Sequence, residues 1–133
     1  MKRIIVLDTF ALLSFFHKER GWQKVEAVLR QAGQDQAPAL LSIINLGEFY
    51  YILRRKVGEA KAAEALDLLG YLPVNVCPVD QTFVLEAARI KATRKISYAD
   101  AFCVNLAVMQ KGEVVTGDPE FREVEDLVRI EWL

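Results

Sequence analysis

Short apolar runs recur along this 133-residue chain, and most are followed by a longer stretch with helical spacing. Arg3–Leu7 is β-branched and suits a strand buried on both faces; Ala39–Leu41 after Pro38, Val74–Val79 and Glu113–Thr116 repeat the pattern, and Val128–Trp132 fits an edge strand. Between them, helices are predicted over Thr9–Phe16, Gly21–Gln31 and Ile43 to about Lys56, the last capped by Ser42 and ended by Gly58. Further helices are predicted over Ala60–Leu69, with Lys61, Glu64 and Asp67 on its polar face, over Gln81–Thr93, and from Ser97 to Gly112. Parallel strands need helical crossovers, and their sheet needs cover on both faces, so the alternation constrains the chain to the α/β class. The expected architecture is three layers, α/β/α, around a mostly parallel sheet of four to five strands.

With 53% hydrophobic residues, the chain can build one sizeable core but not two, so residues 1–133 are expected to form a single domain. Seventeen basic against eighteen acidic side chains leave a formal charge of -1 and no overall cationic field for non-specific nucleic-acid binding. Any nucleic-acid contact must then be local or assisted by metal. Cys77 and Cys103 lack the spacing of a zinc ribbon or a disulfide framework and read as small buried apolar groups. Met1-Lys2-Arg3 before an apolar run has the superficial form of a signal peptide, but the run stops at Asp8, as a strand would. No stretch reaches the roughly 18 apolar residues of a membrane span, and a cytoplasmic location without membrane contact is expected.

Four acids stand where these elements start, end or turn inward: Asp8, Glu48, Asp100 and Asp118. Asp8 follows the first strand and precedes a helix, at the sheet edge where α/β folds bind ligands, although Asp is also a favoured N-cap. Glu48 lies on the stripe Ile44, Glu48, Ile52, and a carboxylate there tends to point inward and to need a cation or an Arg as partner. Ser97-Tyr98-Ala99-Asp100 has the spacing of a capping box; the alternative puts the Asp100 carboxylate in a first helical turn, which favours its ionised form. Asp118 sits in Thr116-Gly117-Asp118-Pro119, equally suited to opening a short helix or turn, and Thr116 could orient a water or a phosphate oxygen or simply end a strand. Taken together the four can converge. Two carboxylates about 4 Å apart repel by roughly 4 kcal/mol at an effective dielectric near 20, so such a cluster shifts its pKa values or recruits a cation. With oxygen donors alone, Mg²⁺ or Mn²⁺ is favoured over zinc.

Basic residues Arg54-Arg55-Lys56 and Lys91, Arg94, Lys95 could flank such a site and take phosphates, or could be helix-end charge on a solvated face. Phe15, Phe16, Trp22, Phe49, Tyr50 and Tyr51 have the spacing of core aromatics but could also stack bases or face a partner helix. His17, the single histidine, is expected at the surface.

The motifs Ile5-Val6-Leu7-Asp8-Thr9, Ile44-Asn45-Leu46-Gly47-Glu48, Ser97-Tyr98-Ala99-Asp100-Ala101 and Val115-Thr116-Gly117-Asp118 span nearly the whole chain in order. In this the sequence resembles the PIN-domain family, especially its small VapC-type toxin ribonucleases. The resemblance implies a PIN-like fold and a metal-dependent RNase directed at single strands. It also implies Asp8, Glu48, Asp100 and Asp118 as metal-site acids, Thr116 as a supporting catalytic group, a homodimer, and a cognate antitoxin occupying the acidic groove. Two other classes are open to the same residues: a non-catalytic module whose acidic groove binds a basic partner segment, and a phosphoacceptor receiver domain. The lack of an acidic pair at the end of the first strand counts against the receiver.

Overall fold

The computed structural model describes residues 3–133; Met1 and Lys2, which the sequence places ahead of the first strand, lie outside the described residues. The chain runs β1 (Ile5–Leu7), α1 (Thr9–His17), α2 (Trp22–Gln34), β2 (Ala39–Ser42), α3 (Ile43–Val57), α4 (Glu59–Leu69) and β3 (Val74–Cys77). It continues through α5 (Gln81–Thr93), α6 (Tyr98–Gln110) and β4 (Glu113–Thr116), then a 3-10 turn (Pro119–Val124) and β5 (Arg129–Trp132). Every expected element is present, with ends shifted by a residue or a few.

The five strands lie in the order β3-β2-β1-β4-β5, and every pairing is parallel. That is not the 2-1-3-4-5 order of receiver domains, so the phosphoacceptor alternative loses its fold. From β1 the chain winds outward through β2 and β3 on one side, then crosses to β4 and β5 on the other. The order therefore reverses between β1 and β4, and the crevice beyond their carboxyl ends is where an open α/β sheet binds ligands.

Alternation along the strands divides the interior in two. Ile5, Leu7, Leu41 and Val115 face a core shared with Leu12 of α1, Val25 and Leu29 of α2, Phe49 and Leu53 of α3, and Ala62 and Ala65 of α4. Val6 and Val114 face the opposite core, with Phe83 and Ala87 of α5, the buried apolar residues of α6, and Phe121 and Val124 of the 3-10 turn. Both central strands are thus apolar on both faces, as the run Ile5-Val6-Leu7 requires. Gly112 lets β1 approach, since a Cβ there would lie 2.7 Å from the carbonyl oxygen of Ile4. Among the described residues no helix is long and apolar enough to cross a membrane.

Helix α3 departs from the expected orientation. Its buried stripe is Asn45, Phe49, Leu53, whereas Ile44, Glu48 and Ile52 are half-buried beside it. The ring of Phe49 is fully buried and packs 5.2 Å, centroid to centroid, from Phe16, and this large apolar volume fixes the rotation of the helix. Glu48 consequently sits half-buried at the core's margin rather than on the buried stripe. Phe49→Ala removes the largest side chain of this interface and is expected to cost about 3–5 kcal/mol. Urea unfolding followed by circular dichroism checks this, and a loss under about 1 kcal/mol would show that Phe49 does not hold α3 in place.

Candidate active site

The carboxyl ends of β1 and β4 each carry a buried polar residue, Asp8 and Thr116, and a hydrogen bond joins them. Asp8 caps α1: its Oδ1 accepts from the Ala11 amide at 2.8 Å, while its Oδ2 accepts from the Thr116 hydroxyl at 2.5 Å. Thr116 Oγ1 in turn accepts from the Asp118 amide at 2.9 Å, so one hydroxyl fixes both the end of β1 and the start of the 3-10 turn. Asp118 caps that turn through the Glu120 amide, 3.0 Å from its Oδ1. The capping readings of Asp8 and Asp118 are therefore realised.

Asp100 reaches the same place from the other side. Ser97 caps α6 by accepting the Asp100 amide at 3.1 Å, but the Asp100 carboxylate makes no return bond to the Ser97 amide, so the capping box is half formed. The carboxylate turns into a groove of about 250 Å³ that is also lined by Asp8, Glu48, Asp118 and Glu120 and edged by Phe10, Leu13 and Ile52. Within it Asp100, Asp118 and Glu120 present carboxylate oxygens all within 4.8 Å of one another. Asp8 and Glu48 line the groove outside that trio. Glu120 was not anticipated; its only signal is its place two residues after Asp118, across Pro119, in the first turn of a helix.

Burial sets the electrostatics. Desolvation pushes the Asp8 carboxyl up to about 8, with the hydrogen bonds from Thr116 and Ala11 pulling the other way and the charges of Asp100 and Asp118 adding to the rise. Asp100 is raised to about 7, again chiefly by burial, with the Ser97 hydroxyl opposing and Asp118, Glu48 and Glu120 reinforcing. None of the ion pairs among the described residues involves these acids. A crowded, partly desolvated set of oxygen donors without a basic partner fits a hard divalent cation.

The basic clusters do not line this groove. Arg54 pairs with Glu59 and Lys56 with Glu19, Arg55 lies over the Tyr51 ring, and Arg94 holds Asp126 at 2.5 Å, so they behave as solvated helix-end charge. Tyr51 is exposed, and Phe15 and Phe16 are partly buried against the core. His17 is half-buried rather than superficial, and it too lies away from the groove.

The PIN domain family model matches residues 5–127, and the chain belongs to the PIN-domain family. No curated protein matches it in sequence. Among solved structures it is similar to VapBC2 from Rickettsia felis bound to a promoter DNA fragment, with a TM-score of 0.77 at 15% identity, covering 96% of this chain and 97% of that one. VapC20 of Mycobacterium tuberculosis, described as a sarcin-ricin loop cleaving toxin, gives a TM-score of 0.72 at 19% identity over 89% and 92% of the two chains. DNA-bound VapBC from Salmonella typhimurium gives 0.70 at 18% identity, covering 98% of each. At these identities the likeness is one of fold.

The raised carboxyls carry a pH signature. Between the ordinary Asp value near 4 and the folded values of about 7 and 8, the folded state holds protons that the unfolded chain has lost, so metal-free stability falls as pH rises through this window. Asp100→Asn removes part of that penalty and is expected to raise the metal-free Tm at pH 8 while leaving it nearly unchanged at pH 4. Adding Mg²⁺ or Mn²⁺ at pH 8 should stabilise the native protein by a few kcal/mol, as binding to the folded state alone requires, and should stabilise Asp100→Asn far less. Thermal scans at both pH values with and without metal test this; an identical metal response in the two proteins would remove Asp100 from the cation site.

Proposed function

We propose that this chain is a metal-dependent endoribonuclease, the toxin of a type II toxin-antitoxin pair, hydrolysing RNA phosphodiesters with carboxylate-bound Mg²⁺ or Mn²⁺. The observation that carries the reading is the convergence of Asp100, Asp118 and Glu120, with Asp8 and Glu48 beside them, in one groove that no Lys or Arg neutralises. It stands at the ligand-binding edge of a PIN domain, and the fold is shared with VapC20, described as a cleaving toxin. The likeness to VapBC structures supports a cognate antitoxin as partner, and a homodimer belongs to the same reading. On this view residues 1–133 work as one domain, in the cytoplasm with the RNA.

Asp100, Asp118 and Glu120 would hold the cation, with Glu48 and Asp8 supplying further oxygens from the groove wall. A bound divalent ion supplies positive charge for the phosphate and a water acidified enough to attack it near neutral pH. Thr116 favours the ionised form of Asp8 by donating to it, and fixes the Asp118 backbone with its other face. No side chain needs to act as a covalent nucleophile.

Purified protein incubated with cellular RNA and Mg²⁺ or Mn²⁺ is expected to cleave it, and EDTA to abolish cleavage. Asp8→Asn and Asp100→Asn should each lower the rate by on the order of a hundredfold or more while circular dichroism stays native. Glu120→Gln tests the acid that the structure adds, with a loss of similar order expected. Cleavage that survives EDTA, or that both Asp variants retain, would sink the mechanism and leave the groove as a binding surface for a basic partner segment.

A further inference from the structure

A second pocket, of about 290 Å³, lies beside the acidic groove and is lined by Phe10, Arg20, Gly117, Arg122 and Trp132 among others. Its character is the opposite of its neighbour's. Arg20, in the connection from α1 to α2, and Arg122, in the 3-10 turn, are both exposed. Among the described residues neither guanidinium takes part in a salt bridge, a state they share with Arg55, Arg89 and Arg129 but not with Arg3, Arg30, Arg54 and Arg94.

Two aromatic residues frame the pocket. Trp132 is half-buried, its indole N–H donates to Glu125 Oε2 at 3.3 Å, and its carbonyl accepts from Lys24 Nζ at 2.8 Å, so both ring and backbone are tethered. It is the register partner of Thr116, which puts it one strand over from the groove's central hydroxyl. Phe10, 39% exposed, lines both pockets and forms their shared wall. Gly117 permits that: a Cβ there would stand 2.5 Å from the Phe10 ring.

We propose that this pocket is a subsite for the nucleotide adjoining the scissile phosphate of a single-stranded RNA. Arg20 and Arg122 take a backbone phosphate, and the base rests against Trp132 and Phe10. The assignment of RNA rests on the functional reading above. The chemistry is that of single-strand recognition, in which cations track the backbone and aromatic faces accept any base. With a net charge of -1 any phosphate contact has to be local, and this pocket places two arginines beside the groove.

The test is fluorescence anisotropy of a labelled single-stranded RNA hexanucleotide in EDTA, where metal-dependent cleavage cannot occur, with wild-type and Asp100→Asn protein. Arg20→Ala with Arg122→Ala is expected to weaken binding roughly tenfold or more and to reduce the slope of log K against log salt by about 0.7, one phosphate's worth on a single strand. Trp132→Leu should lose roughly tenfold, and Trp132→Phe, which keeps an aromatic face, should retain most of the affinity and control for disturbance of β5. In cleavage assays the double arginine variant should raise KM with kcat little changed. Unchanged affinity and salt slope in the double variant would overturn the subsite even where the protein cleaves RNA. Failure of the wild-type protein to cleave, with arginine-dependent RNA binding intact, would strike the nuclease reading and leave the subsite standing. Competition by a polyglutamate peptide as effective as the RNA itself would assign the arginines to an acidic protein partner and overturn the proposal.

Discussion

The hydrogen bond from Thr116 to Asp8 holds the site together. It links the carboxyl ends of β1 and β4, the two strands between which the sheet order reverses, and the same hydroxyl receives the amide that starts the 3-10 turn. Because β1 and β4 are buried on both faces, whatever ends them is carried into the interior, and a carboxylate ending β1 must find donors there. It finds a helix amide and a threonine. A valine in place of Thr116 would keep the volume but leave the Asp8 oxygen and the Asp118 amide without partners, a different loss from that of a strand-end residue facing water.

Much of the fold could be read from the order of its elements. Short apolar runs between helical stretches placed all five strands, and Ser42, Ser97, Gly58 and Gly112 marked helix ends to within a residue or so. The strand order could not be read in the same way, because apolar runs do not say which neighbours pair. Rotation of α3 was misjudged for a related reason. A helical stripe can be drawn through Ile44, Glu48 and Ile52 or one residue further on, and only the facing core, where Phe49 meets Phe16, decides between them.

At the site, the acids that close or open an element were legible, because strand ends and first turns confine a side chain to one edge of the sheet. Glu120 was not. A glutamate after a proline in the first turn of a short helix is an ordinary response to the helix dipole, and nothing in its spacing separates it from Glu125 or Glu123. Its distinction comes from the chain path: the Thr116 hydroxyl pulls in the Asp118 amide, the Asp118 carboxylate pulls in that of Glu120, and the turn delivers both side chains toward Asp100. Arg20 and Arg122 could not be associated from the sequence either, being far apart in it and lining one pocket only through the α1–α2 connection and the 3-10 turn.

The two adjoining pockets answer a conflict that either alone would leave unresolved. On the proposed reading the groove holds a divalent cation, and a polyanion approaching it without the ion at a pH above the raised values of Asp8 and Asp100 meets repulsion from the whole acidic lining. Placing arginines inside the groove would relieve that repulsion but would pair with the carboxylates and displace the cation. Separation by the Phe10 wall keeps the two sets of charge apart, so that on the proposed reading the acids are left for metal and the guanidinium groups for phosphate. Gly117 is the position on which this depends, since any side chain there would push Phe10 aside and join the two fields.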